Sequence, residues 1–478
     1  MTLIDNPTRS KIKKIHFIGI GGSGMSGIAE VLVNLGYEIS LVNLGYEISG
    51  SDIQSSTTTE KLEKLGCTIH YSQKAENVIG KQAVVVSSAI SKNNPELQEA
   101  RHQKLLIVPR AEMLGELMRF RFGIAVSGTH GKTTTTSLIV HIMSEAKLDP
   151  TYIIGGIINA TGMNAKLGKS DYLIAEADES DASFLHLQPM LSVITNIDED
   201  HMETYNHNYA KLTETFINFT SNLPFYGICV ACIDDKGVQD ILKKIHRPVL
   251  SYGFDNEADV KASNIAQDKM KMMFDVSCKK YQKNFPVSLN LIGKHNILNA
   301  LAAISVSLEL DISIKDIQKA LSHFSGVSRR LDYHQELTIN NQNIPLFDDY
   351  GHHPNEISEV FSTLRNTFPE KRLVVIFQPH RYSRTRDLFN EFVSSLSKVD
   401  ALILLNIYSA NEAPINTISS STLADSIRRR SSIDPIVAKD IAEIIEIIPN
   451  ISLENDVILT LGAGDVNKIP HQLKEHFC

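Results

Sequence analysis

The sequence predicts an α/β fold of three domains. Apolar, strand-like runs alternate with helical patterns along the chain, which favours largely parallel sheets covered by helices. Polar residues repeatedly follow the ends of these strands. A length of 478 residues is also too great for one hydrophobic core. We expect domains at residues 1–122, 123–326 and 327–478.

The composition excludes several classes of protein. Hydrophobic residues make up 42% and charged residues 21%, as in ordinary globular proteins, and the net charge of −8 argues against a nucleic-acid partner. No apolar run approaches the roughly 18–20 residues that span a bilayer, and residues 1–14 lack the apolar core of a secretory signal. We therefore expect no membrane insertion.

The cysteines indicate a reducing compartment. Five cysteines are scattered along the chain, an odd number that suits the cytoplasm better than a disulfide framework. Cys229 and Cys232 form a CxxC pattern inside the apolar run 226–233, without a second pair at zinc spacing. We expect both to be buried in a strand as small hydrophobic residues.

A first glycine turn lies between a predicted strand at 14–18 and a predicted helix from 25 to about 35. Gly19, Gly21 and Gly24 satisfy GxGxxG in the strand–turn–helix context that binds a diphosphate at a helix N-terminus. Gly22 and Ser23 complete the turn. Taken alone, this Rossmann-like pattern also fits a nicotinamide-dependent dehydrogenase. That class has an acidic residue about 20 positions further on.

A nine-residue segment is duplicated directly after this helix. Residues 32–40 and 41–49 both read LVNLGYEIS, so Asp52 lies 28 positions after Gly24, and removing one copy gives 28 − 9 = 19. Asp52 is therefore the expected acidic residue. Either copy of Tyr-Glu-Ile-Ser could form the second strand, with the other prolonging the helix or making an excursion at the sheet edge.

A second glycine turn opens the central domain. After the apolar run 123–127 come Gly128, Thr129, His130, Gly131, Lys132, Thr133 and Thr134, and then a helical pattern to residue 146. Backbone N–H groups and a helix N-terminus form a phosphate cradle, to which Lys132 adds a charge and Thr133 a hydroxyl for Mg²⁺. A full P-loop has glycine where this chain has Val126. The pattern nevertheless predicts a P-loop-type ATPase domain.

Acidic residues follow two later strands of this domain. Glu176 comes after the run 171–175, and His201 belongs to an acidic segment after the run 191–195. Such strand ends meet at the crevice edge of a parallel sheet, where hard oxygen ligands suit Mg²⁺. Asn296 precedes an apolar helix predicted at 297–310.

The third domain predicts a second Rossmann-like α/β module. Its strands are expected at 344–347, 373–377, 401–406 and 457–461. Polar loops containing Asp349, His352, Arg381 and Arg384 follow the first two. Paired arginines suit bidentate recognition of carboxylate or phosphate.

Seven motifs together resemble the Mur ligase family. They are GIGGSGMSGIA at 19–29, GTHGKTTTTS at 128–137, EADESDASF at 176–184, NIDEDHMETY at 196–205, GKHNILNA at 293–300, DDYGHHP at 348–354 and QPHRYSRT at 378–385. The resemblance spans nearly the whole chain and is strongest to the alanine-adding branch. The resemblance assigns the first glycine turn and Asp52 to a UDP-linked sugar. It also explains the absence of the first P-loop glycine, because GTxGKT is the form of this loop in the family.

The resemblance implies ATP and Mg²⁺ as cofactors and UDP-N-acetylmuramate and L-alanine as substrates, joined through an acyl phosphate in a cytoplasmic monomer or weak homodimer. It implies that Lys132 holds the β- and γ-phosphates of ATP, that Thr133 and Glu176 bind one Mg²⁺ and His201 a second, and that Asn296, Arg330 and Asp349 contact the nucleotide. His352, Arg381 and Arg384 would face the amino acid, with Lys132, Glu176, His201 and His352 as the catalytic set. A peptide-recycling ligase, a dehydrogenase and a non-catalytic sugar-nucleotide sensor remain alternatives.

Overall fold

The computed structural model describes residues 12–37, 46–119, 121–410 and 412–477. They form two compact units. The first runs to residue 291 and includes 295–325, and the second comprises 292–294 and the chain from residue 326.

The first unit begins with a parallel sheet in the strand order β3-β2-β1-β4-β5. Three of its strands, β1, β2 and β4, are largely buried. Asn94 caps one helix through its side-chain oxygen, with proline at the first helical position. The elements are β1 (Lys14–Ile18), α1 (Ser23–Tyr37), β2 (Glu47–Ser51), α2 (Thr57–Lys64), β3 (Thr68–His70), β4 (Ala83–Val86), α3 (Pro95–His102), β5 (Leu106–Pro109) and α4 (Arg110–Met118).

The second copy of the duplicated segment forms strand β2, pairing Ile48 with Ile15 and Gly50 with Phe17 of β1. A Cβ atom on Gly50 would lie 2.6 Å from Ile20 Cδ1 and 2.8 Å from the Phe17 carbonyl oxygen. The position after Tyr-Glu-Ile-Ser in this strand must therefore be glycine, and glycine follows only the second copy. Residues 32–37 of the first copy prolong α1, and residues 38–45 lie outside the described part of the chain.

A larger sheet in the first unit has the described strand order β15-β14-β13-β12-β11-β10-β6-β9-β7-β8. Its middle strands are parallel, and antiparallel hairpins lie at both edges. Its elements are β6 (Phe122–Ser127), α5 (Lys132–Glu145), β7 (Thr151–Ile158), β8 (Met163–Lys166), β9 (Tyr172–Glu176), β10 (Leu191–Ile194), α6 (Tyr209–Ser221), β11 (Ile228–Cys232), α7 (Lys236–Leu242), β12 (Val249–Gly253), β13 (Val260–Asp268), β14 (Lys271–Cys278), β15 (Lys283–Leu289), α8 (Lys294–Glu309) and α9 (Ile314–His323).

The two sheets of the first unit share a continuous hydrophobic core. Helix α1 of the smaller sheet packs against the β7–β8 hairpin of the larger one. A Cβ atom on Gly27 would lie 3.1 Å from both Ala165 Cβ and Ile153 Cγ2. The absence of a side chain at Gly27 lets helix and hairpin approach closely, which holds the two glycine turns within one compact body.

The second unit contains a sheet in the strand order β16-β17-β21-β18-β19-β20, with a buried aliphatic core. The first pair is antiparallel and the other pairs are parallel. Its elements are β16 (Asp332–Ile339), β17 (Gln342–Asp349), α10 (Pro354–Thr367), β18 (Arg372–Phe377), α11 (Tyr382–Asp387), α12 (Phe389–Leu396), β19 (Ala401–Leu405), α13 (Ser420–Arg430), β20 (Ile436–Ala438), α14 (Ile441–Ile451), β21 (Asp456–Leu461) and α15 (Ile469–Phe477).

The predicted α/β class is confirmed, and the described residues form three sheets. Cys229 and Cys232 are buried in β11 with free thiols, as expected for strand hydrophobes. Helix α8 begins at Lys294, three residues before its predicted start, so Asn296 lies within its first turn. Among the described helices, none is long and apolar enough to cross a bilayer.

Candidate functional site

The second glycine turn is held open by the strand beside it. Gly128 and Gly131 have φ angles of 129° and 80°, which favour glycine. A Cβ atom on Gly128 would lie 2.0 Å from Thr195 Oγ1. The backbone N–H of His130 donates to Asn196 Oδ1 at 2.7 Å, and the Thr195 hydroxyl donates to the His130 carbonyl oxygen at 2.7 Å. The turn is therefore pre-shaped at the N-terminus of α5, where an anion is favoured.

The ammonium of Lys132 is bound inside this turn. Its Nζ donates to the carbonyl oxygens of Gly128 at 2.7 Å and Thr129 at 3.1 Å, and to both carboxylate oxygens of Glu179 at 3.1 and 2.8 Å. Glu179 is 3% exposed. An ammonium has three donor hydrogens, so these acceptors occupy all of them. Lys132 must exchange a partner to contact a phosphate.

Burial and charge oppose each other in this pair. Burial alone would lower the pKa of Lys132, but the carboxylates of Glu179 and Asp178 outweigh it and raise that pKa. Burial raises the pKa of the Glu179 carboxyl to about 7. The lysine therefore stays charged at neutral pH, while Glu179 is held near its point of titration.

The predicted metal ligands lie at or after the ends of β9, β10 and β6, three strands of the larger sheet in which β6 lies between the other two. Glu176 ends β9, and its Oε1 accepts a 2.8 Å hydrogen bond from Gly155 N. His201 follows β10 with a φ of 52°, its Nε2 3.5 Å from Asp200 Oδ2. Thr133, the third predicted ligand, is buried in the first turn of α5.

A metal ion at this edge of the sheet would need ligands in addition to the protein side chains. Within the described ranges, no three His, Cys, Asp or Glu side chains gather in a way that could hold a metal ion. Mg²⁺ is usually bound through one or two carboxylates together with substrate phosphates and water. Glu176 and the Thr133 hydroxyl are hard oxygen donors of that kind, so these residues fit Mg²⁺ that arrives with a nucleotide.

Two buried asparagines of α8 lie behind the second turn. Asn299 Oδ1 accepts from the Thr135 hydroxyl at 3.2 Å, and its amide donates to Asn296 Oδ1 at 3.1 Å. A Cβ atom on Gly131 would lie 2.5 Å from Asn299 Oδ1. Asn296, predicted to contact the nucleotide, is thereby tied to the phosphate turn through Asn299.

The first glycine turn is held by the end of β2. The N–H groups of Gly19 and Ile20 donate to the Ser51 carbonyl oxygen at 2.8 and 3.0 Å. Gly21 N donates to Asp52 Oδ2 at 2.8 Å. Asp52 thus lies directly after β2, as its spacing from Gly24 predicts once one nine-residue copy is removed. Its carboxylate contacts the turn despite the duplication.

The remaining residues of this turn lie at the start of α1. Gly22 and Gly24 flank Ser23, the first residue of the helix.

In the second unit, Asp349 is the last residue of β17, and its carboxylate binds backbone N–H groups on either side of that strand in the sequence. Its carboxylate accepts from the backbone N–H groups of Leu331 and Gly351, each at 2.6 Å. Burial raises its pKa to about 6. The guanidinium carbon of Arg330 lies 5.1 Å from the Tyr350 ring centre, a cation–π contact.

The other predicted residues of this unit surround a histidine. The ring centres of His352 and His380 are 5.8 Å apart, and Arg384 Nη1 lies 3.4 Å from His380 Nδ1. His380 also stacks on Tyr408. Burial, aided by the adjacent cationic side chains, lowers its pKa to about 4. Arg381, with a φ of 70°, donates its N–H to the Tyr408 carbonyl oxygen at 2.8 Å.

Comparison with known proteins identifies the family. The family model for the Mur ligase middle domain matches residues 126–307, and those for the Mur ligase catalytic domain and the Mur ligase glutamate ligase domain match 14–122 and 329–464. The chain belongs to the Mur ligase family.

Relatives of this Mur ligase match it from end to end. It is 62% identical over 469 residues to the UDP-N-acetylmuramate–L-alanine ligase of Vesicomyosocius okutanii, covering 98% of both chains. It is 50% identical to the protein of that name from Hydrogenovibrio crunogenus, over 98% of this chain and 99% of the relative. A solved UDP-N-acetylmuramate–alanine ligase from Thermotoga maritima is 27% identical, with a TM-score of 0.79 over 97% and 98% of the two chains.

Sequence reasoning missed three residues of this Mur ligase. Glu179 belongs to the acidic run after β9, but only its contact with Lys132 distinguishes it from its neighbours. His380 belongs to the motif QPHRYSRT at 378–385, but no role could be assigned to it from the sequence. Arg110 belongs to none of the motifs. It begins α4, its side chain lies beside Gly24 of the first glycine turn, and its Nη2 is 3.9 Å from Asp178 Oδ2.

Proposed function

We propose that the chain is an ATP-dependent ligase that joins L-alanine to the lactyl carboxylate of UDP-N-acetylmuramate, releasing ADP and phosphate. The observation that carries this proposal is the pair of glycine turns in one compact unit, each at a helix N-terminus. A ligase that uses ATP to activate the carboxylate of a sugar nucleotide needs one phosphate-binding turn for each of these two ligands. The alanine-ligase names of relatives 62% and 50% identical support the choice of substrates.

We assign the roles by domain. The first domain, residues 1–122, would bind the UDP-sugar at Gly19, Gly21, Gly22, Ser23 and Gly24 with Asp52. The second, residues 123–326, would bind ATP. The third, residues 327–478, would complete the site for ATP and the amino acid. The Mur ligase models that match three successive segments of the chain support this division.

ATP is assigned to the second glycine turn, Gly128 to Thr134, with Lys132 on the β- and γ-phosphates. This is supported by the open, pre-shaped backbone of the turn. Asn296 is assigned to the nucleotide because it is tied to that turn through Asn299. Arg330 and Asp349 are proposed as further nucleotide contacts from the third domain.

Mg²⁺ is proposed as the metal, with one ion held by Thr133 and Glu176 and a second by His201. Bound there, it would neutralise charge on the transferring phosphoryl group. The residues themselves position the reactants: Lys132 holds the phosphate oxygens, and the N-terminus of α5 stabilises the negative charge that develops on them.

The chemistry requires two displacements. A lactyl carboxylate oxygen attacks the γ-phosphorus, and the bond to ADP breaks, which gives an acyl phosphate. The alanine amine then attacks the acyl carbon, phosphate leaves, and the amine loses a proton. We place His352, Arg381 and Arg384 at the amino acid, with the arginines on its carboxylate. His380 would be neutral at pH 7 because of its low pKa, so the positive charge that binds the carboxylate of the amino acid would come from these arginines.

Phosphate release tests the proposal. With ATP, Mg²⁺ and UDP-N-acetylmuramate present, release should depend on L-alanine and should not respond to the tripeptide that a recycling ligase would use. Release that depends on the tripeptide would favour the recycling ligase. Binding of both ligands without release would indicate a sensor, and NADH binding without ATP binding would indicate a dehydrogenase.

The cellular setting is part of the proposal. We propose that the enzyme acts in the cytoplasm on an early step of peptidoglycan synthesis, as a monomer or weak homodimer. The four described cysteines support a reducing compartment, because all are buried free thiols.

A further inference from the structure

Arg110 places a guanidinium against the first glycine turn. It follows β5 directly and is the first residue of α4, at the carboxyl-end edge of the smaller sheet. A Cβ atom on Gly24 would lie 3.1 Å from Arg110 Nη1 and 3.3 Å from its Cδ. Gly24 therefore leaves the space that the arginine occupies, and the cation lies at the N-terminal turn of α1.

The Arg110 guanidinium has N–H donors available for a ligand. Within the described ranges, no protein acceptor lies at hydrogen-bonding distance from it, and its ionic partner there is Asp178 Oδ2 at 3.9 Å. The side chain is 21% exposed, so a ligand can reach it. Five N–H donors in a planar fork match the paired oxygens of a carboxylate or phosphate, a geometry that lysine lacks.

Asp178 places the same guanidinium beside the second glycine turn. It lies in the acidic segment after β9, and its charge contributes to the raised pKa of Lys132. The ion pair joins residues of the two sheets of one compact unit. Arg110 thus stands between the turn assigned to the sugar nucleotide and the turn assigned to ATP.

We infer that Arg110 binds anionic oxygens of the sugar nucleotide between the two glycine turns, as a bidentate partner of its diphosphate or its lactyl carboxylate. The inference rests on the proposed function, which assigns the sugar nucleotide to the first turn. A substrate with its diphosphate at α1 and its carboxylate directed to the γ-phosphate of ATP passes this cation.

Calorimetric titration of the full-length chain tests the inference without requiring turnover. Arg110→Ala and Arg110→Lys should weaken binding of UDP-N-acetylmuramate by about 10- to 100-fold, the effect of losing a charge-assisted bidentate contact. UDP-N-acetylglucosamine, which has the diphosphate but no lactyl carboxylate, identifies the partner. Equal weakening for both ligands assigns the diphosphate, and weakening confined to the muramate assigns the carboxylate.

Arg119→Ala is the matched control, because Arg119 lies just after α4 and is half exposed. Its binding and kinetics should match those of the parent. In steady-state assays, Arg110→Ala should raise the KM for UDP-N-acetylmuramate and leave the KM for ATP within about twofold. Thermal denaturation identifies a misfolded alanine variant, in which case Arg110→Lys carries the test.

Unchanged affinity in both Arg110 variants would overturn the inference alone, as would equal weakening by Arg119→Ala. A parent chain that fails to bind UDP-N-acetylmuramate would overturn the proposed function and the inference together.

Discussion

The two glycine turns share one local design and differ in where their charge comes from. Each follows a buried parallel strand, uses glycine at a positive φ and opens a helix. The second turn carries its own cation, Lys132, which is paired with the buried Glu179. The first has no lysine or arginine in its sequence and acquires Arg110 from a helix 86 residues further along (110 − 24). A phosphate cradle can therefore be completed locally or by tertiary packing.

The acidic companions of the turns differ as well. Asp52 accepts a hydrogen bond from the backbone N–H of Gly21 and so fixes the conformation of the turn itself. Glu179 binds the side chain of Lys132 and so controls where the cation of the other turn lies. The first interaction should govern the affinity for one ligand, whereas the second should couple protonation of Glu179 to the position of the Lys132 ammonium.

Removing Lys132 should have the largest effect. Lys132→Ala should lower alanine-dependent phosphate release by at least about 100-fold, because it removes the positive charge that we propose for the transferring phosphoryl group. Titration should show unchanged affinity for UDP-N-acetylmuramate. Lys211→Ala, at an exposed position of α6, is the control. Phosphate release at the parent rate would contradict the assignment of this turn to ATP.

Removing Asp52 should affect the first turn alone. Asp52→Ala should raise the KM for UDP-N-acetylmuramate about 10-fold, since one charge-assisted hydrogen bond no longer orders the turn. The KM for ATP should change by less than about twofold. Asp268→Ala, at an exposed position at the end of β13, is the control. An equal rise in both KM values would show that the turns are not independent.

Glu179 should make stability depend on pH. Its pKa is higher in the folded chain, at about 7, than its ordinary value of 4.5, so folding takes up a proton between these values. Its contribution to stability is therefore largest at low pH and falls as the pH rises from about 4.5 to 7. The Tm of the parent minus that of Glu179→Gln should fall over this range.

Glu214→Gln, at an exposed position of α6, should show no such trend. A Tm difference that rises from pH 4.5 to 7 would contradict the raised pKa of Glu179.

Removing one copy of the duplicated segment should have the smallest effect. Deleting residues 41–49 restores the 19-residue spacing of Asp52 and leaves Tyr-Glu-Ile-Ser before Gly50. The entropy of closing a loop changes slowly with its length, by about 0.6 kcal/mol per doubling, so activity should stay within about twofold or rise. Loss of activity on deletion would make the insertion part of the site.

Much of the site could be predicted because it is encoded in local order. Strand, glycine and helix are consecutive in sequence, so both turns could be located, and strand-end acids such as Glu176 could be placed at the sheet edge. The position of Asp52 was predicted from spacing alone once one copy was removed. The choice between the two copies was not, because it depends on the close approach of Gly50 to Ile20.

The sequence by itself determined the α/β class, the two phosphate turns and the polar strand ends of the third domain, since periodicity and turn chemistry act over a few residues. Only the tertiary structure decided that Glu179 rather than its acidic neighbours binds Lys132, that His380 lies between His352 and Arg384, and that Arg110 lies against Gly24. Apart from His380 and Arg384, which are close in sequence, these pairings join residues from separate parts of the chain. Their partners are selected by packing and burial, which no local pattern records.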